Sequence, residues 1–377
     1  MSRFFAFWGM ILLPLLFAPA AHATFSSVYI FGDGTSATAF AAINPGSTSY
    51  YGYRYSNGRS WVEVLAQRQG LGATSLTSTN WNYSTNNRSY YGHYSSLLVS
   101  NVNNFVAPAN ATNCLFVVWV ADADFVDDVE KNPPPGSTNL VTWTNAINQH
   151  LTNHFRAITN LYAKGMRTLI APNAVDLIKV PQYNGLTASA PGYRSFVRQR
   201  IIDFNNAYSN RLNQIEASSP GLNIVLLDMF SLLDDVEASA AKYGLTNVVD
   251  FDGTVSYATA RFANPLALNG PGTNYVWWGP IAPSARFHEV IADTAQQLLS
   301  PVSLADITPV NTSNDLHLAT APVGMNGIVQ FLGDLAQTNW QTNSFFTVSN
   351  AAQTVFVNPT NSLRFYRLKF PWQWTWP

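Results

Sequence analysis

Cysteine is almost absent: Cys114 is the only one in 377 residues, so no intramolecular disulfide can brace the chain and the fold must stand on packing. Its setting, Cys114-Leu-Phe-Val-Val-Trp-Val120, is that of an inert core thiol. Charge is scarce as well. Charged residues make up 11% of the chain and the formal net charge is −1, so no basic stripe exists to attract phosphates and nucleic acid is set aside as a partner. Steering of acidic substrates is equally unsupported. There is no long-period repeat. The one long apolar run, Phe4 to Pro19, follows Arg3, is interrupted by Pro14, and ends before Ala21-His-Ala23. It is short for a bilayer span, which needs about 20 apolar residues, and small-x-small at 21–23 is a cleavage pattern. The expectation is a signal peptide over 1–23, a mature chain from Thr24 with no stable membrane span, and a secreted, periplasmic or extracellular location.

What is present is an alternation of short apolar runs with longer segments of helical period, the pattern of a parallel sheet with crossover helices. Val28 to Phe31 reads as the first strand and Leu115 to Val120 as one buried on both faces, at mid-sheet. Thr168 to Ala171 and Ile224 to Leu227 supply further strands. Ser60 to Gln69 reads as a helix with Ser60 at its N-cap and Glu63 three residues on. Trp143, Ile147, Leu151, Phe155, Ile158 and Leu161 predict one long amphipathic helix, and Val197, Ile201, Phe204, Tyr208, Leu212 and Ile215 a second. Ser284 to Leu299 closes the domain. An α/β fold follows, a three-layer α/β/α sandwich over 24–302 with substrates expected at the C-terminal ends of the strands.

From about Ala305 the texture changes. Leu316-His-Leu318, Ile328 to Phe331, Phe345 to Val348, Thr354 to Val357 and Phe365 to Leu368 are short alternating runs between turn residues, which predicts a small all-β module over 305–370. Such modules are common on secreted bacterial proteins. The tail 371–377 carries Trp372, Trp374 and Trp376, residues able to grip a sugar or a partner but as easily packed on the module's own sheet.

The stretch Val28-Tyr-Ile-Phe-Gly-Asp-Gly-Thr-Ser36 runs from the first strand into a tight Gly-flanked turn. It resembles the first block of the GDSL (SGNH) ester hydrolases, whose strand delivers Phe-Gly-Asp-Ser. Further matches follow in the family's order across most of residues 25–300. Tyr55-Ser-Asn-Gly-Arg-Ser-Trp-Val-Glu63 is similar to the second block, with Gly58 at the position whose backbone N–H helps form the oxyanion hole. Leu115 to Trp119 with Asp124-Phe125 resembles the third. Residues 167–181, with Pro172-Asn173 and Asp176-Leu177, resemble another family segment, and Trp278-Gly-Pro-Ile-Ala-Pro-Ser284 the last block. The resemblance implies a flavodoxin-like SGNH sheet and ester hydrolysis by Ser, Asp and His with oxyanion donors.

At the positions that carry that chemistry, however, this chain has Gly34 for the serine, Gly279 for the aspartate, Ala282 for the histidine and Ala123 for the third-block asparagine, or Ala121 if the alignment slips. Asp33 is retained, with the structural task of bonding around the turn. The scaffold is family-like while the catalytic side chains are gone.

Other residues offer partial substitutes. Thr35 and Ser36 neighbour the lost nucleophile, yet suit capping. His288 lies in the closing helix, and His93 in a loop rich in tyrosine. His150 and His154 have i, i+4 spacing but lack the glutamate of the zinc-protease pattern, and Asp122, Asp124, Asp127 and Asp128 lack the central glycine of a calcium loop. No cofactor and no metal are expected. Tyr50, Tyr51, Tyr53, Tyr55, Trp81, Tyr83, Tyr90, Tyr91 and Tyr94 crowd one region, where they either line a ligand pocket, Tyr53, Tyr55, Tyr91 and His93 foremost, or close the loop over the core. Two readings stand: a non-catalytic binder of an ester- or carbohydrate-like small molecule, and an ester hydrolase with a rearranged constellation. A scaffolding protein whose β module acts is a third. The oligomeric state is left open.

Overall fold

Leu115–Trp119 forms strand β2, and all five of its residues are buried, as its unbroken apolar run predicts. The computed structural model describes residues 25–38, 54–71, 86–131, 140–184, 192–245, 274–300, 303–310, 313–334, 336, 339–357 and 364–370. Residues 1–23, Tyr53 and the Trp-rich tail therefore lie outside the described residues. Around β2 lie β1 (Val28–Gly32), β3 (Thr168–Pro172) and β4 (Asn223–Leu227), in a parallel sheet of order β1-β2-β3-β4. Ile30 pairs with Val117, Val117 with Ile170, and Ile170 with Val225.

The outer edge of β1 is also covered. The amide of Ile30 donates to the Asn86 carbonyl (2.8 Å) and that of Arg88 to the Ile30 carbonyl (2.8 Å), so residues 86–90 run parallel along β1. The chain thus moves from β1 to one side of the sheet, then returns to the other side for β2. That reversal is a topological switch, and in such sheets it opens a crevice at the C-terminal ends of the two strands it separates. Gly34 and Ala121–Ala123 follow those two ends.

Helices cover the sheet. Helix α1 (Trp61–Arg68) starts at Ser60, whose amide donates to Glu63 Oε2 (2.9 Å), the back-bond of a capping box. The next helices are α2 (Ser95–Asn103), α3 (Ala121–Lys131), α4 (Leu140–Ala163), the single turn α5 (Pro181–Asn184), α6 (Tyr193–Ser218) and α7 (Met229–Ala238). Helix α8 (Ala285–Leu299) is capped by Ser284 Oγ, which accepts from the Phe287 amide (3.1 Å). α1 packs on α8, while α2 packs on α4 and α4 on α6. Among the described residues no helix is long and apolar enough to cross a membrane.

Strands β5 (Ser303–Val310), β6 (Ser313–Ala319), β7 (Asn326–Leu332), β8 (Gln341–Thr347), β9 (Gln353–Val357) and β10 (Phe365–Lys369) make two antiparallel sheets, β5-β6-β9 and β10-β7-β8. Leu316, Leu318, Val329, Val348, Val355 and Val357 form a cluster of their own, separate from the main core. Arg68 ties this part to the α/β part: its carbonyl accepts from the Val323 amide (3.1 Å) and its Nη1 donates to the Val323 carbonyl (3.3 Å).

Candidate functional site

At the end of β1 the backbone of Gly32 touches two side chains. A Cβ there would stand 2.6 Å from Ser36 Cβ and 2.8 Å from Ser89 Oγ, so only glycine lets the chain fold over into the single 3₁₀ turn Gly34–Ser36. Asp33 caps that turn, its Oδ1 accepting from the Thr35 amide (2.9 Å). Ser36 points away into the core, where its Oγ accepts from the indole Nε1 of Trp61 (3.0 Å). Beyond β2, Asp122 in the first turn of α3 accepts from the Val175 amide (2.9 Å). Asn173 Oδ1 accepts from the amides of Met229 (2.7 Å) and Phe230 (3.2 Å) and fixes the start of α7. The amides of Trp278 and Gly279 both donate to the Ala282 carbonyl, which closes a tight turn ahead of α8.

These elements enclose a cleft of about 100 Å³, room for several waters at ~10–15 Å³ each on the same measure. Gly34, Ala123 and Ala282 all line it, as do Asp33, Thr35, Tyr55 and Tyr91. Gly58 and Gly279 lie outside the lining: Gly58 donates its amide to Ser56 Oγ at 3.4 Å, and Gly279 is held in the turn behind Ala282. A Cβ on Gly34 would meet Tyr55 at 3.4 Å and Tyr91 at 3.5 Å, and these two rings face each other with centroids 5.6 Å apart. They cover the ground a nucleophile at residue 34 would use. Gly34 itself has no positive φ.

Burial shapes the charges here. It lifts the Asp33 carboxyl to about 6, against the opposing hydrogen bonds from Thr35 and Ala123. Burial, and then the neighbouring charge of Asp33, lift Asp122 well above the ordinary carboxylate value.

No imidazole lines the cleft among the described residues. His93 does not reach it: its Nδ1 bonds the Gly32 carbonyl (2.9 Å), its ring stacks on Tyr90 at 4.3 Å, and burial pushes its pKa down to about 4. His93 is thus held at the last residue of β1 and is not among the residues that line this cleft. His288 is also committed, its Nδ1 accepting the Trp61 amide at 3.2 Å, one of the unsatisfied donors at the start of α1. His150 Nε2 bonds Asp128 Oδ2 (2.9 Å) and its Nδ1 faces Ser95 Oγ (3.3 Å), a serine, histidine and aspartate in series. Ser95 is fully buried and does not line the cleft, so no substrate meets it there. His154 bonds the His150 carbonyl (2.9 Å). Among the described residues no group of His, Cys, Asp and Glu is placed to hold a metal ion.

Burial depresses His288 to about 3, from about 6.5 when unfolded. A depressed imidazole stabilises the fold above its unfolded pKa, and that contribution is lost as pH falls towards the folded value. His288→Asn keeps an acceptor near the Trp61 amide and removes the titration. The stability advantage of wild type over this variant is expected to shrink by about 1.4 kcal/mol per pH unit between pH 6 and 4, read from urea unfolding at each pH. A pH-independent difference would show that His288 is protonated in the folded state.

The geometry above belongs to the region that a family model, GDSL-like Lipase/Acylhydrolase, matches over residues 28–295. The chain belongs to the GDSL-like lipase/acylhydrolase family. It is similar to a GDSL esterase/lipase of Arabidopsis thaliana, 24% identical over 230 residues that make up 58% of this chain and 60% of that protein. A second Arabidopsis GDSL esterase/lipase is 23% identical over 282 residues, 70% of this chain and 77% of the relative. The chain thus spans about 60% of the first relative's length. Among solved structures, the lipase Lip_vut3 from a goat rumen metagenome aligns with a TM-score of 0.38 at 10% identity, over 72% of this chain and 97% of that one.

Sequence patterns missed several residues that line the GDSL cleft. Trp119 ends β2 and Asp122 lies three residues on in the first turn of α3, a position the rule for α/β crevices points to. Glu130 arrives two turns later on α3, Met229 opens α7, and Trp277 comes from the stretch ahead of α8, placements that no local pattern encodes.

Proposed function

We propose that this protein binds a small molecule with an apolar body in the family cleft and does not use the serine, aspartate and histidine chemistry of active GDSL hydrolases. The observation that carries this reading is the lining itself. Among its described residues there is neither serine nor histidine, and Tyr55 and Tyr91 lie over Gly34. Val126, Val175, Leu177, Val180, Ile281 and Ile291 supply much of the wall, which favours an acyl-bearing, ester-like ligand over a carbohydrate. Export through the segment 1–23 and a division into a hydrolase-like part over 24–302 and a β module over 305–370 belong to the same reading. The separate hydrophobic clusters of the two parts support that division.

Thr35 supports the second reading, because it brings an aliphatic hydroxyl to the cleft beside Asp33. Purified protein is expected to show no turnover of short p-nitrophenyl acyl esters above buffer and no labelling by a fluorophosphonate. Labelling of Thr35, with turnover that disappears in Thr35→Val, would replace the binder by a hydrolase with a rearranged constellation.

A further inference from the structure

We infer that the ligand is a small organic cation, an ammonium centre carried on an apolar body with an oxygen acceptor; the inference rests on the cleft being a binding site. Three features of the lining point the same way. First, Asp33, Asp122 and Glu130 bring carboxyl groups, while no Lys, Arg or His lines the cleft among the described residues. The guanidinium groups of Arg54 and Arg68 on the neighbouring stretch are already paired, Arg54 with Glu63 and Arg68 with Asp293 and Glu289. An anionic ligand would meet only like charge.

Second, the polar groups sit among ring faces. Tyr55, Tyr91, Tyr94, Trp119 and Trp277 all line the cleft, and the negative face of an aromatic ring attracts an alkylammonium group, most strongly where water is excluded. Third, the indole Nε1–H of Trp119 is buried and has no hydrogen-bond partner among the described residues. A buried donor left unpaired is costly, and an ester or ether oxygen on the ligand would answer it.

The carboxyl groups give the selection its direction. Asp33 is nearly fully buried, and Asp122, in the first turn of α3, lines the same cleft within reach of its charge. Two carboxyl groups this close in an apolar cleft resist ionising together. A bound cation supplies the compensating charge, whereas a neutral ligand of the same shape leaves the repulsion in place. The preference is therefore for charge, over and above the fit of the apolar body.

The test uses the full protein and a matched pair of probes, butyrylcholine and its neutral isostere 3,3-dimethylbutyl butyrate, with binding followed by quenching of indole fluorescence and by calorimetry. The cation is expected to bind about ten-fold or more tightly than the isostere, a ratio in keeping with a desolvated cation and ring contact. Asp122→Asn keeps the Oδ1 acceptor for the Val175 amide and removes the charge. It should bring the ratio close to one by weakening the cation alone. Equal or tighter binding of the isostere would overturn the inference and leave the binding-cleft reading standing. Binding of neither probe would remove both. An equal loss for both probes in Asp122→Asn, with Glu130→Gln unchanged, would mean that the carboxyl groups shape the cleft without reading charge, and would also overturn it.

Discussion

Gly34→Ser alone is expected to leave ester hydrolysis at the level of buffer, whereas Gly34→Ser, Ala123→Asn, Gly279→Asp and Ala282→His together are expected to raise it by about 10²-fold or more. The backbone and a Cβ are accommodated at this position. A Cβ at residue 34 meets Tyr55 and Tyr91 at 3.4 and 3.5 Å, ordinary contact distances, and the backbone there has no positive φ to penalise a side chain. Chemistry is the obstacle. The new hydroxyl has no base, because Ala282, which also lines the cleft, has no side-chain acceptor and no histidine lines the cavity among the described residues. Triad members act as a unit, so each is worth little without the others. The asparagine at 123 adds a donor for the developing oxyanion, and loss of one such donor typically costs about 10²–10³ in rate. Turnover of p-nitrophenyl butyrate by each folded variant is the measurement. Hydrolysis by Gly34→Ser alone would reveal a base elsewhere. A folded but inert quadruple variant, still inert after Tyr91→Ala, would show that the pocket has been rebuilt as well as stripped.

Arg68→Leu is expected to cost about 3–5 kcal/mol, the usual loss when one partner of a buried ion pair is removed. Only 5% of the Arg68 side chain is exposed, its Nε donates to Asp293 Oδ1 at 2.8 Å, and its Nη2 reaches Glu289 Oε1 at 3.3 Å. Leucine would leave the Asp293 carboxylate buried on α8 without its guanidinium partner, while Glu289 keeps Arg286, and would break the bond from Nη1 to the Val323 carbonyl. Burial lifts Asp293 to about 6 even with Arg68 beside it. A carboxyl with a raised folded pKa stabilises the fold at low pH and loses that contribution as pH rises through the folded value. Without Arg68 the pKa goes higher still, so the deficit of Arg68→Leu should be larger at pH 8 than at pH 5. Urea unfolding at both values tests this, and Arg68→Leu with Asp293→Leu should recover most of the loss. A double variant less stable than the single one would refute the account.

Much of the architecture is legible from periodicity. β1, β2, α1, α4, α6 and α8 lie where apolar spacing and the Ser60 and Ser284 caps place them, because burial and local capping act over a few residues. Helix α3 is harder to see. Asp122, Asp124, Asp127 and Asp128 read as a solvated loop or a helix N-terminus, and Asp122 and Asp124 lie in the first turn of α3; yet Asp124 is buried and accepts from the Ser95 amide at 2.8 Å, a partner 29 residues away. The pairing of residues 86–90 with β1 is likewise invisible locally, since a parallel ladder leaves no signature in either strand alone. At the site, the family motifs brought Gly34, Ala123 and Ala282 onto one cleft. The tyrosine-rich stretch left open whether His93 lines a pocket or packs within its loop, a choice set by the Gly32 carbonyl 61 residues earlier, and no motif hinted at Trp277 or Glu130.

The turn after β1 is held from both sides of residue 34: by the close approach at Gly32, by the Asp33 cap on Thr35, and by Ser36 bonded to Trp61. None of these bonds uses the side chain at 34. The identity of that residue is thereby uncoupled from the geometry of the loop that presents it. A lineage can exchange the nucleophile and keep a fold that passes every test of stability, so drift away from catalysis at this position meets little resistance, while any change at Gly32 is removed at once by the clash with its neighbours.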